Sequence, residues 1–246
     1  MCKLFRLIFD LVFVPKCGGC HKRLDSAVVG ICSECKKKYL SERDEFCDFC
    51  GLSVKMCTCI PHNLMSNGCI DYKKLVFYRN TTGAAVIRSM IYQIKRKNDG
   101  ALLNFFAEEL LKIDEHTLVE NPIVTYAPRT AKAIKEYGYD HGKMIAQSYA
   151  KIGGLEFKPI FIRKWKPYQK QQKLMNFKQR AINVKGAFSL RDENIVNGRN
   201  IILIDDVVTS GATLGECVYL LYAAGAKSVV CRSIAYTYRK NKQKND

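Results

Sequence analysis

The C-terminal two-thirds of the chain alternates short apolar runs with longer stretches whose apolar residues recur at helical spacing. The apolar runs predict strands at Leu75–Tyr78, Pro122–Tyr126, Phe157–Ile162, Ile201–Asp205 and Ser228–Ala235. The helical spacing predicts helices over Ala84–Lys95, Ala101–Lys112, Asp140–Ile152 and Thr213–Ala224. This alternation predicts an α/β fold with a mostly parallel sheet flanked by helices.

The first third of the chain follows a different pattern. Residues 1–16 carry apolar positions at helical spacing and predict a short amphipathic helix, which either docks on the protein or contacts a membrane. Residues 17–62 are rich in cysteine, and residues 70–240 contain the predicted sheet. We therefore expect a small N-terminal module joined to a larger α/β domain.

Composition narrows the class of protein. The hydrophobic fraction of 48% is enough to build a core, which excludes a wholly disordered chain. No stretch approaches the roughly 20 apolar residues of a membrane-spanning helix, so we expect no transmembrane segment. Forty Lys and Arg against 23 Asp and Glu give a net charge of +17, which favours a polyanionic partner or substrate.

Ten of the twelve cysteines lie before residue 70, most of them in pairs. Two C-x-x-C pairs come first and together supply the four thiolates of a tetrahedral zinc site: Cys17, Cys20, Cys32 and Cys35. A disulfide framework is the alternative in short secreted chains, but no export signal precedes these pairs, and we favour zinc. A site made only of cysteine leaves no open position for a catalytic water, so the predicted metal is structural.

A second set of four cysteines follows: Cys47, Cys50, Cys57 and Cys59. Gly51 directly follows the first pair, Cys47 and Cys50, and its conformational freedom could release the tight turn there. In the return pair, Cys57 and Cys59, one residue separates the cysteines instead of the usual two. His62 or Cys69 could therefore replace one member of the return pair. We interpret Cys69, like the two C-terminal cysteines, as a small buried hydrophobe. Whether one zinc or two are bound stays open.

The predicted strand Ile201–Asp205 leads into small and hydroxylated residues ahead of the next helix: Val207, Val208, Thr209, Ser210, Gly211, Ala212 and Thr213. Small side chains and one glycine allow several backbone N–H groups to converge on a phosphate, and the helix N-terminus adds positive potential. The segment lacks both the lysine of a Walker loop and the glycines of a dinucleotide fingerprint. It predicts a phosphate-binding loop of another kind.

Two adjacent carboxylates, Asp205 and Asp206, come directly before this loop. Their spacing suits a ribose whose hydroxyls bind the carboxylates while its 5′-phosphate rests in the loop. They could instead cap the following turn, but neighbouring carboxylates repel each other with no gain in stability. We interpret the pair as sugar-binding.

Ile201–Thr213 resembles the phosphoribosyl-diphosphate-binding signature of type I phosphoribosyltransferases. With the cysteine pairs added, the chain is similar over nearly its whole length to the ComF family of competence-associated phosphoribosyltransferase-like proteins. Three further segments resemble that family: Met90–Lys95, the pyrophosphate-loop position Ala127–Arg129, and Asn183–Phe188 with Gln172 and Arg180 upstream. Tyr137–His141 departs from it, since family members often carry Arg-Gly-Phe-Asn-Gln there, so only the position is carried over.

The resemblance implies a type I phosphoribosyltransferase fold behind a double zinc ribbon, a cytoplasmic location, and binding of phosphoribosyl diphosphate with magnesium. In the family reaction a nitrogen nucleophile displaces pyrophosphate from C1 of the sugar, which gives Asp205 and Asp206 a catalytic role in stabilising positive charge on the ring. Arg129, with Lys132 and Lys135, either binds the diphosphate or belongs to a solvated helix face. No base for the nucleophile is evident, so turnover stays open.

From Arg163 to Lys185 the chain carries eight Lys or Arg and no acidic residue, with Trp165, Tyr168 and Phe177 interleaved. Positive charge mixed with stacking aromatics suits single-stranded DNA. The stretch could also be a mobile flap over an anionic substrate.

Three functions remain in view. The first is a ComF-like protein that binds phosphoribosyl diphosphate and magnesium and acts on single-stranded DNA in natural transformation, with a competence helicase-type partner. The second is a metabolic phosphoribosyltransferase for a nucleobase or amine. The third is a non-catalytic DNA-binding adaptor. The sequence specifies neither the acceptor nor the oligomeric state.

Overall fold

The computed structural model describes residues 15–25, 30–78, 85–114, 119–164 and 184–237. The predicted N-terminal helix lies outside these ranges except for its last two residues, and most of the basic stretch, residues 165–183, lies outside them too. Lys16 forms an isolated β-bridge with Arg23 and not a helical turn. Within these ranges, every helix falls short of the length and apolarity needed to cross a bilayer.

The described strands are β1 Asp71–Phe77, β2 Ile123–Tyr126, β3 Glu156–Phe157, β4 Phe161–Arg163, β5 Phe188–Leu190, β6 Asn200–Val208 and β7 Ser228–Tyr236. The described α-helices are α1 Ser33–Arg43, α2 His62–Met65, α3 Ala85–Arg96, α4 Gly100–Asp114, α5 Ala131–Tyr137, α6 His141–Gly153 and α7 Ala212–Ala223. A short 3₁₀ helix covers Glu193–Ile195.

Five strands form one sheet in the order β1-β7-β6-β2-β3, and all of its pairs are parallel. Side chains that alternate along β6 enter two separate cores. Ile202 and Ile204 pack with α3, α4 and α6, whereas Ile201 and Leu203 pack with α2, α7 and the small β4–β5 sheet. Because both faces are covered, β6 reads as one continuous apolar run. The predicted α/β class is confirmed.

Two strand predictions differ from the structure. The apolar run Phe157–Ile162 is not one strand: β3 pairs with β2 in the main sheet, whereas β4 pairs with β5 in a separate antiparallel ribbon. Pro159, which has no backbone N–H, lies between the two strands. Strand β6 runs longer than predicted, because its pairing with β7 continues as far as Val208.

A buried ion pair joins α4 to the sheet. Arg232 on β7 is 1% exposed, and its Nε donates to Asp114 Oδ1 at 2.7 Å. Its Nη2 lies 2.8 Å from Asp71 Oδ2, and Tyr149 donates its hydroxyl to Asp114 at 2.7 Å. The charge of the guanidinium is therefore balanced inside the core, which a buried arginine requires.

We expect Asp114→Ala to lower the free energy of unfolding by about 3 kcal/mol, because it leaves the buried Arg232 without its closest carboxylate. Urea denaturation followed by circular dichroism measures this loss. Glu156→Ala is the matched control, since Glu156 pairs with Lys158 and Arg199 at the surface, where such pairs contribute under about 1 kcal/mol. Equal losses in the two variants would contradict the expectation.

Candidate functional site

The two predicted carboxylates lie inside β6, toward its C-terminal end. Asp205 is level with Ser233 of β7, and Asp206 is 7% exposed. Each side chain accepts from the backbone N–H of the next residue, Asp205 Oδ1 from Asp206 at 2.8 Å and Asp206 Oδ1 from Val207 at 2.8 Å. In this sheet the carboxyl ends of the parallel strands face one edge, where ligands of such folds bind.

Cations from two other elements surround the acidic pair. Lys95, in the last turn of α3, places its Nζ 3.1 Å from Asp206 Oδ2. Burial alone would raise the pKa of Asp206, but Lys95 and Arg129 outweigh it and hold this pKa below its usual range. Burial and the charge of Asp206 instead raise the pKa of Asp205. One negative charge of the pair is thus firmly held, at Asp206.

His141 stands behind this pair as the first residue of α6, and it is fully buried. Its Nδ1 accepts from Arg129 Nη1, and its Nε2 lies 3.1 Å from the carbonyl oxygen of Lys95, to which it donates. Burial first and then Arg129 lower the pKa of His141 to about 4, so the ring is neutral at neutral pH. The imidazole therefore connects the pyrophosphate-loop position with the end of α3.

Asp140 gives the segment Tyr137–His141 a structural role. Its carboxylate accepts from the backbone N–H of Arg129 at 2.8 Å and from that of Lys143 at 3.4 Å, so it both orders Ala127–Arg129 and caps α6. Tyr139 donates its hydroxyl to the carbonyl oxygen of Ile94 at 2.8 Å. This segment holds the residues opposite Asp206 in position.

The predicted phosphate loop connects β6 to α7. Gly211 has a φ of +73°, in the left-handed region, and immediately precedes α7. Ser210 Oγ accepts from the N–H of Ala212 at 3.4 Å. The loop thus sits at the N-terminus of a twelve-residue helix, where anionic groups are favoured.

The basic residues predicted to bind the diphosphate do not all lie at the site. Arg129 is half-buried beside the acidic pair, whereas Lys132 and Lys135 are exposed on α5. Arg163, the first residue of the basic stretch, donates to the carbonyl oxygen of Pro128 at 3.1 Å and stacks 4.8 Å above the Phe188 ring. The structure therefore brings Arg129 and Arg163 to the site but neither of the two lysines.

Lys95 and His141 are site residues that pattern analysis did not assign. Both lie on helices far along the chain from β6, so no local spacing marks them. The only signal was the resemblance of Met90–Lys95 and the departure at Tyr137–His141.

The two predicted cysteine sets each form a cluster. The sulfur atoms of Cys17, Cys20, Cys32 and Cys35 all lie within 4.8 Å of one another, and so do those of Cys47, Cys50, Cys57 and Cys59. The Cys20–Cys32 sulfur distance is 3.8 Å and the Cys47–Cys59 distance is 4.0 Å. A tetrahedron with Zn–S bonds of about 2.3 Å has edges of about 3.8 Å, so both clusters fit zinc.

The first pairs of the two clusters adopt the same turn. The N–H of Cys17 donates to Lys22 and that of Cys47 donates to Leu52, each at 2.8 Å. Gly51 takes a φ of +69° after its pair, and His21 takes +62° at the equivalent place. The side chain of His21 is held there by Gln93 Nε2 at 2.8 Å. The predicted release of the turn at Gly51 is confirmed.

Crowding of the thiols indicates sites built for a cation. Burial and the neighbouring Cys50 and Cys57 raise the pKa of Cys59 to about 12. Cys57 has a different neighbour: Lys74 on β1, 3% exposed, places its Nζ 2.9 Å from the Cys57 sulfur. This contact joins the second cysteine cluster to β1.

The interpretation of Cys69 as a buried residue is confirmed. It is 4% exposed and its thiol donates to the carbonyl oxygen of Asp71 at 3.3 Å. Within the described ranges, neither it nor His62 joins a cysteine cluster.

Parts of the chain are similar to known proteins. The family profile of the phosphoribosyl transferase domain matches residues 142–246. A segment of 51 residues, 21% of the chain, is 41% identical to orotate phosphoribosyltransferase from Bartonella quintana and covers 27% of that enzyme. Among solved structures, the glutamine phosphoribosylpyrophosphate amidotransferase from B. subtilis aligns with a TM-score of 0.37 and 19% identity over 55% of this chain and 26% of that one.

The sheet topology and the matched domain together show a phosphoribosyltransferase-type α/β fold. Over 231 residues, 89% of the chain and 97% of the relative, it is 26% identical to DNA utilization protein YhgH from Salmonella typhimurium. Over 224 residues, 87% of the chain and 93% of the relative, it is 24% identical to Competence protein F from Haemophilus influenzae. The resemblance to the ComF family is confirmed.

Proposed function

We propose that the protein binds phosphoribosyl diphosphate with magnesium at the edge formed by the acidic pair and the phosphate loop. The observation that carries the proposal is the placement of Asp206: a buried, ionised carboxylate at the end of a central strand, directly before a glycine-containing loop and a helix N-terminus. A sugar phosphate has hydroxyls that can bond to the carboxylate and a phosphate that can bind the loop and the helix N-terminus.

The residues present suit magnesium. Asp205 and Asp206 supply carboxylate oxygens, the ligands that this cation prefers. Among the described residues, Asp206 Oδ2 is buried and accepts no hydrogen bond of good geometry, although Lys95 lies close to it. Magnesium bound with the diphosphate would neutralise the negative charge of the leaving group.

The chain's own groups divide the remaining work. Backbone N–H groups and hydroxyls of Thr209–Thr213 bind the 5′-phosphate. Asp205 and Asp206 orient the ribose hydroxyls and stabilise positive charge that develops on the ring as pyrophosphate departs. Lys95 keeps Asp206 ionised, and Arg129 and Arg163 supply positive charge toward the diphosphate. Binding of the ligand therefore requires no residue that acts as a base on the nucleophile.

Asp205→Asn combined with Asp206→Asn is expected to abolish calorimetric binding of phosphoribosyl diphosphate and magnesium, because the ribose loses both carboxyl groups as acceptors. Asp192→Asn is the matched control: this exposed aspartate only caps the short 3₁₀ helix, and asparagine caps equally well. Unchanged affinity in the double variant, with the thermal melt intact, would refute the proposed site.

We further propose that both cysteine clusters hold zinc and that the metal is structural. Plasma emission spectrometry of the purified protein should find about two zinc per chain. Cys20→Ser and Cys50→Ser, each an exposed member of one cluster, should each reduce the content to about one. A content of two in either variant would contradict the assignment of that cluster.

The nucleic-acid part of the proposal has separate support. Two relatives that align over most of this chain are named for DNA utilization and competence, and the chain carries a net charge of +17. We propose that single-stranded DNA, as in natural transformation, contacts the basic stretch that begins at Arg163. A helicase-type partner and a cytoplasmic location accompany this hypothesis.

We expect fluorescence anisotropy with a labelled oligonucleotide to show binding whose logarithm falls steeply with the logarithm of salt concentration. Replacing Lys166, Lys170 and Lys173 with Gln should weaken binding and flatten that slope. The control replaces Lys36, Lys37 and Lys38 on α1 in the same way. Equal effects from the two triple variants would place the DNA elsewhere.

Transfer of phosphoribose to a nucleobase or amine is the second candidate, favoured by the local similarity to orotate phosphoribosyltransferase. Two measurements separate it from the third function, the non-catalytic adaptor. A metabolic enzyme releases pyrophosphate with some nucleobase in the absence of DNA, whereas a non-catalytic adaptor binds DNA with no dependence on Asp205 and Asp206.

A further inference from the structure

The segment that leaves the second cysteine cluster packs directly on the phosphate loop. Only Ile60 separates the last cluster residue, Cys59, from Pro61, which precedes α2. Helix α2 lies against α7, and its Leu64 is fully buried in the core that also contains Leu214 and Val218 of α7. We call residues 60–68 the connector.

A side chain of the connector holds a backbone group of the loop. Asn63 donates from Nδ2 to the carbonyl oxygen of Ser210 at 2.7 Å. The C=O and N–H of a trans peptide unit point in opposite directions, so this bond turns the N–H of Gly211 away from the connector. Asn67 in turn donates to the carbonyl oxygen of Asn63 at 2.7 Å and braces it.

The glycines of the loop and helix leave room for the connector. A Cβ on Gly211 would overlap Leu64 and come within 3.1 Å of Pro61. A Cβ on Gly215 would overlap the carbonyl oxygen of Asn63. Close approach of the connector, as well as the left-handed φ at Gly211, therefore requires glycine at these positions.

We infer that Asn63 is a positioning residue for the phosphate loop and that it couples the second cysteine cluster to ligand binding. Metal at the cluster fixes Cys59, the connector fixes Asn63, and Asn63 fixes the peptide unit that presents the Gly211 N–H to phosphate. The coupling of affinities rests on the proposed function, whereas the ordering of the loop does not. By reciprocity, a bound sugar phosphate must also retain the metal at this cluster more firmly.

The first test is calorimetric titration of phosphoribosyl diphosphate and magnesium into the full chain and two variants. Asn63→Ala should weaken binding about five-fold, the usual effect of one lost hydrogen bond, while magnesium alone binds unchanged. Ser66→Ala is the matched control, since Ser66 is exposed directly after α2 and its backbone N–H bonds to the carbonyl oxygen of His62 within the connector. Equal affinities for the two variants would overturn the inference.

A second measurement separates positioning from general destabilisation. Zinc release to a coloured chelator is followed with and without phosphoribosyl diphosphate and magnesium. In the wild-type chain the ligand should slow release of one zinc equivalent, and in Asn63→Ala it should have no such effect. A merely structural role for Asn63 would speed release in both conditions and preserve the ligand effect, which would also overturn the inference.

Amide hydrogen exchange over Val207–Thr213 decides the inference independently of the proposed ligand. Faster exchange there in Asn63→Ala and in Cys59→Ser, with Ser66→Ala unchanged, supports loop positioning even if wild-type protein binds no phosphoribosyl diphosphate. In that case only the proposed function fails. Unchanged exchange in Asn63→Ala overturns the positioning role.

Discussion

Two adjacent carboxyl groups, buried or half-buried at the end of a central strand, set the main physical constraint on this molecule. Their charge must be balanced by groups that the rest of the chain delivers, and three separate elements do so. Helix α3 brings Lys95, the loop after β2 brings Arg129, and β4 brings Arg163. His141 completes the arrangement as a neutral group, accepting from Arg129 and donating to the end of α3. The parallel sheet provides the one edge at which all these contributions meet.

The cysteine-rich module is built into the α/β domain at several points. Cys17 and Cys35 of the first cluster belong to the same core as α3 and α4, and Ser89 donates to the carbonyl oxygen of Gly18 at 2.9 Å. The second cluster meets β1 through Lys74 and the loop before α7 through the connector. Loss of either cluster would therefore disturb surfaces that the sheet domain itself uses, so the module is more than a tethered appendage.

Local features of the sequence were sufficient to predict the central strand, the loop after it and both cysteine sets, because each depends on neighbours in the chain. Interactions between distant segments could not be predicted this way. The ion pair of Lys95 with Asp206 and the bond from Asn63 to Ser210 join residues that no spacing relates. Likewise, apolar periodicity in Phe157–Ile162 cannot reveal that its two halves pair with different partners. The topology of the sheet decides which of these distant residues meet.

The sheet also dictates an order of assembly. Within the described ranges, its first strand, β1, pairs with β7 alone, which is the last strand in that part of the chain. During synthesis β1 must wait for β7, and β6 lacks its partner on that side until the same moment. The cysteine clusters need only ligands that are close in sequence, so each can close as soon as it leaves the ribosome. A nascent chain would thus carry closed cysteine clusters ahead of unpaired apolar strands, and its exposure to aggregation ends only when β7 arrives.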